Sequence, residues 1–385
     1  MQIENNSKNI VLLLNSFWNN GKGMSGGDQI LIQVFKRIHS KFENIFCYTN
    51  IDGRNEIKKE APAIFFSTSP IFFDKFPIII NYFFRTIRAF GIIFKKNIGV
   101  IYGGSDFFPD VIPAFLYKFF HPKTKWIQCV FHIYPDWRKR PGNKIANFTA
   151  QYLQKFSLIL SRKADCVINI NNQVRHELIK LGFEKSKLVI IPPGIDIEFL
   201  KNLKPSKETP KYTATFLARL NPSKGIFDLS RIWRNVVKEM PNAKLAIIGG
   251  GSEENKERIK KEIAKEKLER NVDILGFLEN EKTFSLIKNS QVFIFPSHEE
   301  GFGIVIAEAM ACGTPVISWN LPVYKEVFEN YSVQVRENDF ENFAGEILNF
   351  LKDRSRKEYF SQKAKFFVEK YSWDTVCRKY LEIIN

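Results

Sequence analysis

QVFIFPSHEEGFGIVIAEAMACGTPVISWN, residues 291–320, decides how the chain is read. VFIFPS reads as a buried strand and its exit, and residues 299–302 as the loop at that strand's carboxyl end. A helix is predicted to start near Gly303 and Ile304. It stops at Gly313, a natural residue for the left-handed position after a helix end, with Pro315 beyond it. PVIS is the next strand. Strand, loop, helix and strand in that order make the repeating unit of a parallel α/β sheet.

Two acids sit inside this apolar unit. Open α/β sheets bind ligands beyond the carboxyl ends of their strands, so Glu300 in the loop faces that edge. Glu308 lies one turn into the helix. Side chains lean toward a helix N-terminus, which lets its carboxylate reach back to the same edge. The helix start offers free N–H groups and positive dipole to a phosphate. Gly301 and Gly303 remove Cβ atoms where a ligand would meet backbone. Two hydroxyl-accepting carboxylates around a phosphate site suit a nucleotide sugar. An exposed helix face would explain Glu308 otherwise, but its neighbours in IVIAEAMA are apolar or small.

A phosphate site flanked by acids needs cations. LARLNPSKG supplies Arg219 and Lys224 after another strand, with Asn221 and Pro222 turning the chain. Two such cations can neutralise a diphosphate leaving group without a metal.

Outward from these segments the alternation continues. NIVLLLN, GVIYGG, KWIQCVFH, DCVININ and KLVIIPPG read as buried strands in the first half. YTATFLARL, AKLAIIGGG and NVDILGFL read so in the second. GGDQILIQVFKRIHSKF has Ile30, Val34 and Ile38 at helical spacing. The charged run EENKERIKKEIAKEKLE is a solvated helix. At 385 residues the chain exceeds one hydrophobic core. The polar, proline- and lysine-containing stretch at 201–211 is the expected linker. The predicted organisation is a first α/β domain over 1–200, a second over 201–365, and a terminal segment over 366–385.

The chain carries a net charge of +16, and 14% of its residues are aromatic, 37 of them Phe. Most of the charge surplus lies in the first 200 residues. A basic surface of this size suits nucleic acid, an anionic membrane or a phosphorylated substrate. The charge sits on no recognisable helix-turn-helix or stacking motif, so nucleic acid is not expected. Residues 75–97, KFPIIINYFFRTIRAFGIIFKKN, have two readings. One is an amphipathic core helix whose cations, Arg85 and Arg88 among them, snorkel outward. The other is a helix lying in a membrane interface. No apolar run is long enough to span a bilayer. Five scattered cysteines and a start without a basic leader fit a reducing cytoplasm.

The glutamate pair with EGFGIVIAE between, and the Arg219 and Lys224 pair, resemble the signature of the retaining glycosyltransferases of family four. SGGDQILIQVFKRI, ADCVININNQVRHELIKLGF, VIIPPGIDIEFL and YSWDTVCRKYLEII resemble further segments of that family, the last of them the final helix, and this implies that residues 366–385 return to the first domain. The resemblance implies a GT-B fold of two Rossmann-like domains with a deep cleft between them. It implies transfer of a sugar from a nucleotide-diphosphate sugar, UDP- or GDP-linked, with retained configuration. Glu308 would bond the ribose, and Glu300 the donor sugar's hydroxyls. Gly301, Phe302, Gly303 and Ile304 would line the donor, with the Ile304 N–H on phosphate. Arg219 and Lys224 would take the diphosphate. Gly26 and Gly27 would let a helix start approach the donor, and His132 would stand near the reacting sugar. The leaving phosphate would itself remove the acceptor proton. No metal and no cofactor are expected.

The chain departs from the family after TPVIS, where WNLPVYKEVF replaces a glycine-rich loop, leaving the donor base open. GGGSEE, beginning at Gly249, either borders the donor or is a plain strand-to-helix loop. DFFPD, Asp106 to Asp110, is too aromatic and too spread for a metal motif. The acceptor expected from the basic first half is a glycan or lipid-linked glycan at the cytosolic membrane face. A sugar-nucleotide epimerase and a non-catalytic binding protein are the alternatives. A dinucleotide enzyme is not supported, because no GxGxxG directly follows the first strand.

Overall fold

The computed structural model describes residues 8–17, 26–68, 78–140 and 143–384. These fall into two compact units. The described residues up to 193 and those from 374 onward form the first, and residues 194–373 form the second.

The first unit is a seven-stranded parallel sheet. Its strands are β1 Asn9–Leu14, β2 Asn44–Thr49, β3 Ile64–Ser67, β4 Val100–Gly103, β5 Lys125–Val130, β6 Cys166–Asn169 and β7 Leu188–Ile190. They stand in the order β3-β2-β1-β4-β5-β6-β7. The central β1 is covered on both faces, and Val11 to Leu14 are essentially inaccessible. That is why it reads as a continuous apolar run and not as an alternation.

The second unit has six parallel strands: β8 Ala214–Leu217, β9 Leu245–Ile248, β10 Val272–Gly276, β11 Val292–Phe295, β12 Val316–Trp319 and β13 Val333–Val335. Their order is β10-β9-β8-β11-β12-β13. In each sheet the chain winds outward to one edge and then resumes on the other side of its first strand. The direction therefore reverses between β1 and β4, and again between β8 and β11. Loops splay apart at such a reversal and leave a crevice beyond the strand ends.

Strands β2, β3 and β13 were not evident in the sequence. β3 and β13 are short edge strands, and β3 is partly exposed along its length. Such strands lack the unbroken apolar signal of β1 or β11.

The stretch 201–211 belongs to the second unit and does not divide the chain. The short helix Ile197–Asn202 already packs on the helix Ile304–Ala311. Lys288 Nζ donates to the carbonyls of Leu200 and Lys201, each at 2.8 Å, and Asn289 Nδ2 to that of Thr209 at 2.8 Å. The division falls instead at Pro193 and Gly194. The terminal segment joins the first unit from Asp374, later than expected. The helix Arg354–Val368 before it stays with the second unit, where Ser361 Oγ donates to the Gly313 carbonyl at 2.7 Å.

Candidate active site

The loops leaving β8 and β11 lie side by side at the reversal of the second sheet, because the two strands are hydrogen-bonded neighbours. After β8 the chain passes Arg219, turns at Asn221, and makes one short 3-10 turn over Pro222–Lys224. Gly225 ends that turn at φ +72°. A Cβ there would fall 1.8 Å from the Pro296 carbonyl oxygen. Only glycine lets the two loops close on each other. His298 N donates to the Ser223 carbonyl at 2.9 Å and fastens them further.

This docking brings Lys224 and Glu300 together. Lys224 Nζ lies 2.5 Å from Glu300 Oε1 and 3.1 Å from the Glu299 carbonyl oxygen. Ser297 Oγ donates to the same Glu300 oxygen at 3.2 Å. Both charged side chains are largely shielded, at 18% and 14% exposure. Behind them the Tyr324 hydroxyl is held neutral far up the pH scale, first by burial and then by the charge of Glu300.

The helix Ile304–Ala311 begins where the sequence placed it. Gly303 caps it at φ +93°. A Cβ on Gly303 would meet the Tyr324 ring at 2.9 Å. The first turn leaves the Ile304 and Val305 N–H groups without acceptors inside the helix. At the far end Gly313 stands at φ +79°, with Gly313 N bonded to the Met310 carbonyl and Thr314 N to that of Ala309. That is the glycine-terminated helix end read from the sequence.

Glu308 is half-buried in this helix, and no side chain among the described residues bonds its carboxylate. Loss of solvation alone pushes its pKa up to about 8. An acid held in this state lacks the hydrogen bonds that would favour its charge. Phe302 needs a correction as a donor-lining side chain. It is buried, with its ring 5.5 Å from that of Phe328 and 5.2 Å from that of Tyr371, so only its backbone borders the loop.

Arg219 is exposed and makes no ion pair among the described residues. Gly249, at φ +137°, has a packing reason to be glycine: an added Cβ would lie 1.7 Å from the Ala218 carbonyl oxygen. The close approach lets Leu220 N reach the Gly250 carbonyl at 2.7 Å. The GGGSEE turn therefore supports the backbone that presents Arg219.

The sequence did not reveal His298. Its Nε2 lies 2.9 Å from Asp228 Oδ2, and its Nδ1 contacts Glu337. The hydrogen bond to Asp228 raises its pKa most, against the effect of burial, and with Glu337 the imidazole is held at about 9. His298 is thus a cation clamping the same loop that carries Glu300.

In the first unit, Gly26 and Gly27 open the helix Gly26–Ile38. Residues 18–25 before it lie outside the described residues. His132 stands after β5, half-buried, with its ring 5.8 Å from that of Tyr134. Gln154 Nε2 donates to the His132 carbonyl at 2.7 Å and to Asp106 Oδ2 at 2.5 Å. Asp106 and Asp110, set aside in the sequence, prove to be buried members of this strand-end region. Asp110 accepts from Asn15 N at 2.6 Å, Ser105 Oγ at 2.6 Å and Ser16 Oγ at 2.9 Å. Burial pushes Asp110 up to about 7 and Asp106 to about 6, against those hydrogen bonds.

Comparison with known proteins gives a consistent result. The profile of group 1 glycosyl transferases matches residues 198–366, and that of glycosyltransferase family 4 matches residues 45–199. The poly(glycerol-phosphate) alpha-glucosyltransferase of Bacillus subtilis is 29% identical over 242 residues, which are 61% of this chain and 34% of that protein. The match thus spans about a third of the Bacillus protein's length. The trehalose synthase of Pyrococcus horikoshii is 25% identical over 296 residues, which are 72% of this chain and 67% of that protein. Anabaena HepE, solved with UDP and glucose, superposes with a TM-score of 0.77 at 17% identity. That superposition covers 97% of this chain and 98% of the other. At such identity the likeness concerns the fold.

Proposed function

The chain belongs to the group 1 and family 4 glycosyltransferases and has their GT-B fold, and from that premise we propose that it transfers a hexose from a nucleotide-diphosphate sugar with retention of configuration. The observation that carries this reading is the joining of Lys224 and Glu300 at the reversal of the second sheet, beside the helix start that carries Glu308. Lys224 and Arg219 take the diphosphate, and Glu300 holds sugar hydroxyls. The Ile304 N–H binds phosphate, and Glu308 accepts from the ribose. Gly301 and Gly303 give the donor access to backbone. His132, Gly26 and Gly27 are assigned to the first unit's part in the reaction on the resemblance alone.

The bond between the anomeric carbon and the β-phosphate oxygen breaks, and one to an acceptor oxygen forms on the same face. The acceptor's proton passes to the departing phosphate, so the products are a glycoside and a nucleoside diphosphate. The growing phosphate charge falls to Arg219 and Lys224, and turnover should survive a chelator. Cations placed where charge grows stabilise the transition state more than the ground state.

The acceptor we assign is a glycan, lipid-linked and met at the cytosolic membrane face. The UDP and glucose in Anabaena HepE make UDP-glucose the first donor to test. Purified protein is incubated with UDP- and GDP-sugars, and nucleoside diphosphate release and thermal protection are followed. Release from one donor class with protection by its nucleotide is expected. Neither release nor protection with any donor would overturn the proposal.

A further inference from the structure

Two helices of the first unit are built inside out. In the helix Ile78–Ala89 the buried side chains are Asn81, Tyr82, Arg85 and Thr86, with Ala89. Ile79, Ile80, Phe83, Phe84 and Ile87 point outward, Phe83 at 58% exposure. The inward face is fixed by polar bonds. Arg85 Nη1 donates to the carbonyls of Asn15 and Phe17 at 3.0 and 2.8 Å, and Tyr82 Oη to that of Ser16 at 2.7 Å. The expectation that Arg85 snorkels to solvent is corrected: it is fully buried, and the apolar side faces out.

The helix Lys144–Ser161 repeats the inversion. It buries Gln151, Gln154, Ser157, Leu158 and Ser161. Outward stand Ile145, Phe148, Tyr152, Phe156 and Ile159, three or four residues apart, in one stripe along the helix. Gln151 and Gln154 are committed inward, since their Oε1 atoms accept from Trp137 N at 3.2 Å and Tyr134 N at 2.9 Å. Neither helix can turn its apolar stripe to the core without leaving these buried groups unpaired.

Both stripes share one face of the sheet. Right-handed crossovers from β3 to β4, β4 to β5 and β5 to β6 put the three intervening helices on the same side. The helix Phe108–Phe120 packs between the other two, and its end exposes Phe119 and Phe120. Monomeric soluble proteins rarely gather so many exposed large apolar side chains on neighbouring helices. The stretch 78–163 that builds it has fourteen Lys and Arg against three Asp. Asp106 and Asp110 are buried, which leaves Asp136. Most of the chain's surplus charge therefore lies in the stretch that builds this surface. No helix among the described residues is long and apolar enough to cross a membrane.

We infer that the outward face of the helices Ile78–Ala89 and Lys144–Ser161 docks on an anionic phospholipid bilayer, its apolar side chains entering the interface and its cations meeting headgroups. An exposed cation such as Arg88 or Lys155 gains from lipid phosphate, while an apolar protein partner would offer it no counter-charge. The inference rests on the lipid-linked acceptor above for its purpose, while binding is read without sugar or nucleotide.

The test is flotation of the purified full chain with phosphatidylcholine vesicles and with vesicles containing about 30% phosphatidylglycerol, enough for a strong surface potential. Two variants are compared, Phe83→Ser with Ile87→Ser, and Phe156→Ser with Ile159→Ser. All four residues are exposed, and thermal protection by nucleotide reports the fold and the donor site separately. Flotation is expected with the anionic vesicles, weakened at high salt, and reduced roughly tenfold or more in each variant. Equal partition onto both vesicles, no partition, or variants that float like the parent would overturn it. A parent dimer dispersed by the variants would assign the face to a second copy and overturn it too. Lost flotation with intact nucleotide protection would leave the proposed activity standing.

Discussion

Lys224 Nζ and Glu300 Oε1, 2.5 Å apart, join the loops that leave two neighbouring strands. Without a ligand each charge is the other's partner. On the proposed function a bound donor divides them, drawing the ammonium to phosphate and the carboxylate to sugar hydroxyls. Lys224→Met should therefore act twice. It leaves the largely shielded Glu300 beside Ser297 only, at a cost of roughly 1–3 kcal/mol, and it removes the proposed phosphate contact. Lys224→Met and Glu300→Gln should each lower kcat/KM by about 10²–10³-fold, the usual range for a group aimed at transition-state charge. The double variant should regain melting temperature and stay inactive. Recovery of both would reduce the pair to a structural bridge.

With Glu308 on the donor ribose, as proposed, donor binding should be coupled to a proton. Desolvation holds its pKa at about 8, so the free protein carries it neutral at pH 7. Ribose hydroxyls donating to the carboxylate favour its charged form and lower that pKa. Nucleotide binding near pH 7 should then release a fraction of a proton, and affinity should rise as pH approaches 8. Calorimetry in buffers of different ionisation enthalpy reads the release directly. Glu308→Gln should abolish it and weaken binding. The free variant should also be more stable than the parent at pH 8. A raised carboxyl pKa withdraws stability as pH climbs from the unfolded value through the folded one, and the difference should vanish in acid. Proton release unchanged in Glu308→Gln would place the coupling elsewhere.

Gly225→Ala should break the site without touching a charged group. Its φ of +72° and the 1.8 Å clash with the Pro296 carbonyl act together. Backbone strain of this kind costs about 1–3 kcal/mol. The loop carrying Lys224 would relax by lifting away from Glu300. Melting temperature and nucleotide affinity should fall together, unlike in Arg219→Ala, where the exposed side chain leaves stability unchanged. A stable Gly225→Ala that binds nucleotide normally would show that the loops need not close.

The placement of the residues assigned to the donor was legible because its determinants are local. Glu300 and Glu308 frame one strand–loop–helix unit, and Arg219 and Lys224 lie on one connection after β8, so spacing conveys their placement. His298 was not legible, since its partners Asp228, at a helix start, and Glu337, in a turn, meet it from 70 and 39 residues away. Asp110 escaped for the same reason, being fixed by Asn15 from 95 residues off. The inside-out helices failed differently. A helical period shows that one side is apolar but not which side faces the core. In the helix Ile78–Ala89 that choice is made by Arg85 and the β1-loop carbonyls it satisfies.

His298 makes a pH-dependent stability contribution whose sign can be worked out. Its folded pKa of about 9 exceeds the ordinary value of 6.5, because Asp228 and Glu337 favour the imidazolium. The contribution is complete below about 6.5, shrinks as pH rises through 9, and is absent beyond. His298→Asn should therefore lower the melting temperature most at pH 6 and least at pH 10. The Trp319 indole also donates to Asp228 Oδ2, at 3.2 Å, so the carboxylate keeps one partner when the imidazole is gone. The loop bearing Glu300 should loosen nonetheless, and nucleotide affinity should fall at pH 7 in step with stability. Thermal melts of parent and variant from pH 6 to 10 decide it. A melting difference that is flat across that range would mean that His298 holds its loop by shape, without charge.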